Sequence, residues 1–94
     1  MSSNMRWDAL VRSFPSLRAY AEATHLLTAP GLDEWAHDRG LGSGAMAAVK
    51  FVLGVWDHDR NWKVGRFDLF SAIRVWDSQH LAAFKAWAAN PFQA

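Results

Sequence analysis

From Gly44 to Trp56 every position is apolar or glycine except Lys50. At helical rise the run spans about 20 Å, whereas an apolar stretch that crosses a bilayer needs roughly 20 residues. A helix apolar over more than half its circumference must be walled in by neighbours. The run is therefore expected to be the central strut of a helical domain. Met46, Val49, Leu53 and Trp56 share one face of it, and Val52 and Val55 widen that face. Ala47, Lys50 and Gly54 form a narrow strip opposite.

Shorter helices are predicted on either side from apolar residues spaced three and four apart. Trp7, Leu10, Val11 and Phe14 place one over residues 5–14, ended by Pro15. Ser16 is expected to cap the next, with Leu17, Tyr20, Ala21, Thr24 and Leu27 on one side. Thr28–Gly31 reads as a turn, since proline fixes one φ and glycine supplies the opposite sign. A helix through Leu32, Trp35 and Ala36 should stop at Gly40, and Ser43 should cap the strut. Beyond the polar loop that begins at Asp57, Asp68 is expected to cap a helix bearing Leu69, Ala72, Ile73 and Trp76. Asp77 should cap the last, with Leu81, Phe84, Trp87 and Ala88 inward. The expectation is an all-α fold, a compact bundle of about five short helices around residues 44–56, in a single domain over residues 1–94.

Composition narrows the function more than the fold. The chain has 51% hydrophobic residues, enough for a core, and no cysteine, which excludes disulfides, thiolate metal sites and a cysteine nucleophile. Its N-terminus lacks the apolar core of a signal peptide, so a cytoplasmic address with no membrane partner is expected. A net charge of +1 gives no global field towards nucleic acid or anionic lipid. Six tryptophans and six phenylalanines are many for 94 residues. Most belong to the core, but an aromatic left outside it is the usual anchor of a binding surface.

Trp35 to Val49 resembles the helix-turn-helix of phage repressors. Ala36 is the small residue between the helices, Gly40 sits in the turn, and Leu41, Met46 and Val49 would hold the second helix. The resemblance implies DNA contact by Arg39, Ser43 and Lys50. A recognition helix reads bases with polar side chains, yet its outward positions here are Ser43, Gly44, Ala47, Lys50 and Phe51. Phe51 on that outward strip would also suit a homodimer.

Asp57, Asp59, Asn61 and Asp68 fall at ligand positions of a loop that resembles an EF-hand. Trp62 stands where that loop needs glycine, and Asp68 where it needs glutamate, so calcium is the weaker reading. Glu22 with His25, and Glu34 with His37, repeat a di-iron spacing but lack the further inward carboxylates such a site requires. No nucleophile elbow, phosphate loop or serine–histidine–acid set is visible along the chain, and no cofactor is expected.

Arg60-Asn-Trp62-Lys63-Val-Gly-Arg66 interleaves three cations with a tryptophan. A loop between two well-defined helices is where binding residues tend to sit. The expectation is a non-enzymatic protein-interaction module whose partner is another protein, met by Arg60, Trp62, Lys63 and Arg66. DNA binding through residues 33–50 is the alternative.

Overall fold

The computed structural model describes residues 3–93, and these form six α-helices: α1 Ser3–Ser13, α2 Pro15–Ala23, α3 Ala29–Arg39, α4 Ser43–Trp56, α5 Leu69–Val75 and α6 Ser78–Ala89. No strand occurs among the described residues. The greasy run is α4, and it packs directly on α1, α2, α3 and α5. Its Phe51 ring reaches α6 through Phe84 and Trp87, at 5.3 and 5.1 Å between centroids. All five shorter helices thus wall in the strut, as its composition requires. No helix among the described residues is long and apolar enough to cross a membrane.

Local chemistry accounts for most of the helix ends. Pro15 is the first residue of α2, where its missing N–H would have had no partner in any case. Gly40 ends α3 in the left-handed conformation, φ 67°. The Asp77 carboxylate accepts the His80 backbone N–H and so caps α6, as expected.

Four boundaries differ from the sequence reading. Thr28–Gly31 is not a free turn but the start of α3. Thr28 Oγ1 accepts the Gly31 N–H at 3.1 Å, and Pro30 in the first turn costs no hydrogen bond. Helix α2 ends at Ala23, so Thr24 lies beyond it, and Ser16 is inside the helix rather than its cap. Ser43 is likewise the first residue of α4, and Gly42 precedes it as the cap.

Packing explains a further difference. Gly44 on α4 lies so close to the end of α5 that a Cβ there would sit 3.1 Å from the Val75 carbonyl oxygen. Trp76 locks this approach by donating its indole N–H to the Gly44 carbonyl at 3.1 Å. With Ala72 and Trp76 facing inward, Ile73 is turned by one helical step, about 100°, towards solvent. Ile73, expected inside, is therefore exposed, as are Val75 and Phe70, the last at 77%. Ala88 is exposed as well.

Phe51 is the centre of the aromatic core. It is 5% exposed and meets Phe14, Phe67, Trp76, Phe84 and Trp87. The expected outward placement of Phe51 is overturned: Phe14, the loop before α5, Trp76 after α5, and α6 cover it. Trp7 ties α1 to the strut by donating its indole N–H to the Val52 carbonyl at 2.7 Å.

Candidate functional site

The loop between α4 and α5 is held by hydrogen bonds within it and to α3, not by its own composition. Trp62 donates its indole N–H to the Asp57 carbonyl at 3.1 Å. A tight turn follows, closed by the Gly65 N–H on the Trp62 carbonyl at 3.0 Å. Gly65 has φ 94°, a conformation that favours glycine. From α3, the buried Asp33 carboxylate accepts the backbone N–H groups of Lys63 and Val64 at 3.0 and 3.1 Å. One side chain of α3 thereby clamps a segment thirty residues away.

The clamped loop roofs a cavity of about 220 Å³ against α4 and the end of α6. Phe51, Phe67 and Trp87 give it aromatic walls, while Gly54 leaves one side of α4 bare. Its charged lining consists of Lys50, Arg60 and Arg66, with His58 beside them, and no carboxylate among the described residues lines it. None of those three cations forms an ion pair among the described residues. A concave apolar chamber with unneutralised cations is suited to an anionic group that also carries apolar surface.

The four predicted partner residues divide here. Arg60, Trp62 and Arg66 line the cavity. Lys63 instead turns to α3, its Nζ 3.6 Å from Glu34 Oε1. Trp62 is no protruding anchor: it is 9% exposed and the Arg60 guanidinium covers its ring at 4.7 Å. The indole folds back because its N–H finds an acceptor within the loop itself. Lys50 and Gly54 are the residues the loop motif alone could not supply, although the narrow strip on α4 contained both.

Of the residues proposed to contact DNA, Arg39 lies over the Trp35 ring at 5.5 Å. Ser43 and Lys50 border a groove between α4 and α5. Two further positions of the expected recognition face are occupied, Gly44 by the end of α5 and Phe51 by the core. The acidic side chains of the calcium reading are not gathered into a cluster. Among the described residues no group of three or more acidic or histidine side chains gathers in a way that could hold a metal ion. The Asp57 carboxylate accepts the Asp59 N–H at 3.1 Å, and the Asp68 carboxylate accepts the Ser71 hydroxyl. Asn61 is exposed on the loop. The same finding removes a joint site for Glu22, His25, Glu34 and His37.

The structure does assemble a serine–histidine–aspartate line that the sequence reading missed. His80 Nε2 lies 2.7 Å from Ser16 Oγ, and His80 Nδ1 lies 2.8 Å from Asp77 Oδ1. Nε2 also faces the Ser16 backbone N–H at 3.4 Å. It thus serves as an acceptor at the start of α2, whose preceding residue, Phe14, supplies no side-chain cap. None of the three residues lines the α4–loop cavity. The arrangement joins the first turns of α2 and α6.

The His80 backbone N–H, and then its ring, hold the Asp77 carboxyl below its ordinary value of 3.8. The Ser71 hydroxyl does the same for Asp68. A carboxylate whose folded value is depressed stabilises the fold above its unfolded value and loses that contribution as pH falls through the folded one. Asp77→Ala should therefore melt below the wild type at neutral pH. The gap should narrow as pH drops below about 3.8, as followed by circular dichroism. A gap that stays constant with pH would place the effect outside the carboxylate.

Comparison of the chain with known protein families, with curated proteins and with solved structures finds no match.

Proposed function

We propose that this protein is a small non-enzymatic interaction module that docks an acidic surface of another protein at the mouth of the α4–loop cavity. It would act as a regulator or inhibitor by occupying that surface. The observation that carries the reading is the set of three cations, unpaired among the described residues, over an aromatic chamber with no described carboxylate in its lining. Three full charges exceed the roughly half charge of opposite sign at the end of a helix, so the dipole of α4 alone does not require them. Arginine over an aromatic face, with its donor edge outward, suits a carboxylate.

The test is fluorescence anisotropy with a labelled acidic peptide, at low and moderate salt, against wild type and Arg66→Glu. The expected result is binding that weakens with salt, as screened charges require, and falls about tenfold or more in the variant. Absence of binding at low salt would overturn the reading. Tighter binding of mixed-sequence DNA duplex would move it to the helix-turn-helix alternative. A fluorophosphonate probe should leave Ser16 unmodified; labelling that disappears in His80→Gln would make the protein an enzyme.

A further inference from the structure

Gly54 is the feature that packing does not explain. Glycine inside a helix is less favourable than alanine, so its presence usually marks a close approach. Gly44 is such a case, with the Val75 carbonyl oxygen 3.1 Å from where its Cβ would lie. At Gly54 a Cβ would meet nothing within 4 Å. The backbone there is helical, so no special φ demands glycine either. What the missing side chain leaves is room, and that room is the cavity of about 220 Å³.

We infer that this cavity is a socket for one large apolar side chain of an acidic partner segment, whose neighbouring carboxylates meet Lys50, Arg60 and Arg66 at the rim. The inference rests on the interaction reading above and names its ligand. Size favours a single side chain, because pockets for whole drug-sized ligands run to about 300–1,000 Å³. The walls of Phe51, Phe67 and Trp87 are apolar, so what enters must be apolar too. Charge sets what surrounds it: the rim is cationic and, among the described residues, without a carboxylate. Arg60 stacks on Trp62 at 4.7 Å, which uses the face of the guanidinium and leaves its edge to donate to a carboxylate. The same stack takes the ring face on which a nucleic-acid base would otherwise lie.

The experiment uses two labelled peptides of alternating aspartate and serine, one with a central leucine and one with serine in its place. Wild type should bind the leucine peptide about ten- to a hundredfold more tightly, the effect of burying one such side chain. Gly54→Leu fills the socket from within. It should lose that preference while still binding the serine peptide in a salt-dependent way. Gly54→Met, with a more adaptable side chain, repeats the test should Gly54→Leu fail to fold. Equal affinity of wild type for both peptides would overturn the socket and leave the cationic docking surface standing. Failure of both peptides to bind would overturn the docking surface itself. Competition by phenylacetate or by a single-stranded oligonucleotide at lower concentration than the peptide would also overturn the inference. The occupant would then be a free small acid or a nucleic acid.

Discussion

Phe51→Ala is expected to lose about 3–5 kcal/mol, the range for truncating a buried large aromatic. The ring is 5% exposed and meets five other aromatic rings, from the junction of α1 and α2, α6, the loop before α5 and the residue after α5. Its removal opens a void that all of those elements border and none can fill without moving. Domains of this size hold only about 5–15 kcal/mol in total, so the variant should be near the edge of folding. Urea denaturation followed by circular dichroism reads the loss as a lower midpoint. Lys50→Ala, one residue earlier on the half-buried strip, should change stability by no more than about 0.5 kcal/mol. The contrast between neighbours is decisive for the orientation of α4. Were Phe51 an outward residue of a recognition helix, both substitutions would be equally mild.

Gly54→Ala tests the same helix with the opposite sign. A Cβ there touches nothing within 4 Å, so the variant should gain about 0.5–1 kcal/mol through helix propensity and a less flexible unfolded chain. A loss would mean that the glycine serves packing, and would remove the argument that it keeps a cavity open. Thermal melting is sufficient to read the difference.

The helices were legible in the sequence because their spacing is local. Trp7, Leu10, Val11 and Phe14 are all buried, as their three-and-four spacing requires. Neighbour choice was less legible. Ile73 belongs to a stripe that fits an inward face, yet Gly44 and Trp76 pin α5 in a rotation that turns it outward. Phe51 was misplaced because a helix apolar nearly all round has no single outward side to read. The cationic loop was visible as composition, but the direction of Trp62 was not. That direction depends on an indole N–H meeting the Asp57 carbonyl at 3.1 Å, which no pattern encodes. Ser16 and His80 were equally hidden, lying sixty-four residues apart in the chain. Lys50 and Gly54 could be marked as an odd strip on α4. Only the fold turns that strip into the floor of a cavity.

Asp33→Ala is expected to cost about 2–5 kcal/mol and to release the loop that builds the site. Its carboxylate is 6% exposed and accepts two backbone N–H groups from one turn, at 3.0 and 3.1 Å. Each partly buried donor left without an acceptor costs about 1–3 kcal/mol, and hydrogen bonds to an ionised group stand at the upper end of that range. Glu34→Ala, on the same helix, is the control. Its partner Lys63 lies 3.6 Å away in an exposed pair, and such pairs contribute about 0–1 kcal/mol. Urea denaturation should separate the two variants clearly, and hydrogen exchange should show Lys63 and Val64 losing protection in Asp33→Ala. Asp33→Asn should fall between, because its single carbonyl oxygen can serve the turn but its amide cannot. The consequence for binding follows from the same geometry. Arg60 and Arg66 flank the clamped turn, so without the clamp they are held in place for a smaller fraction of the time. Apparent affinity for an acidic peptide falls by that fraction. A variant that lost stability but kept full affinity would show that the rim cations do not depend on the turn, and that α3 serves the fold alone.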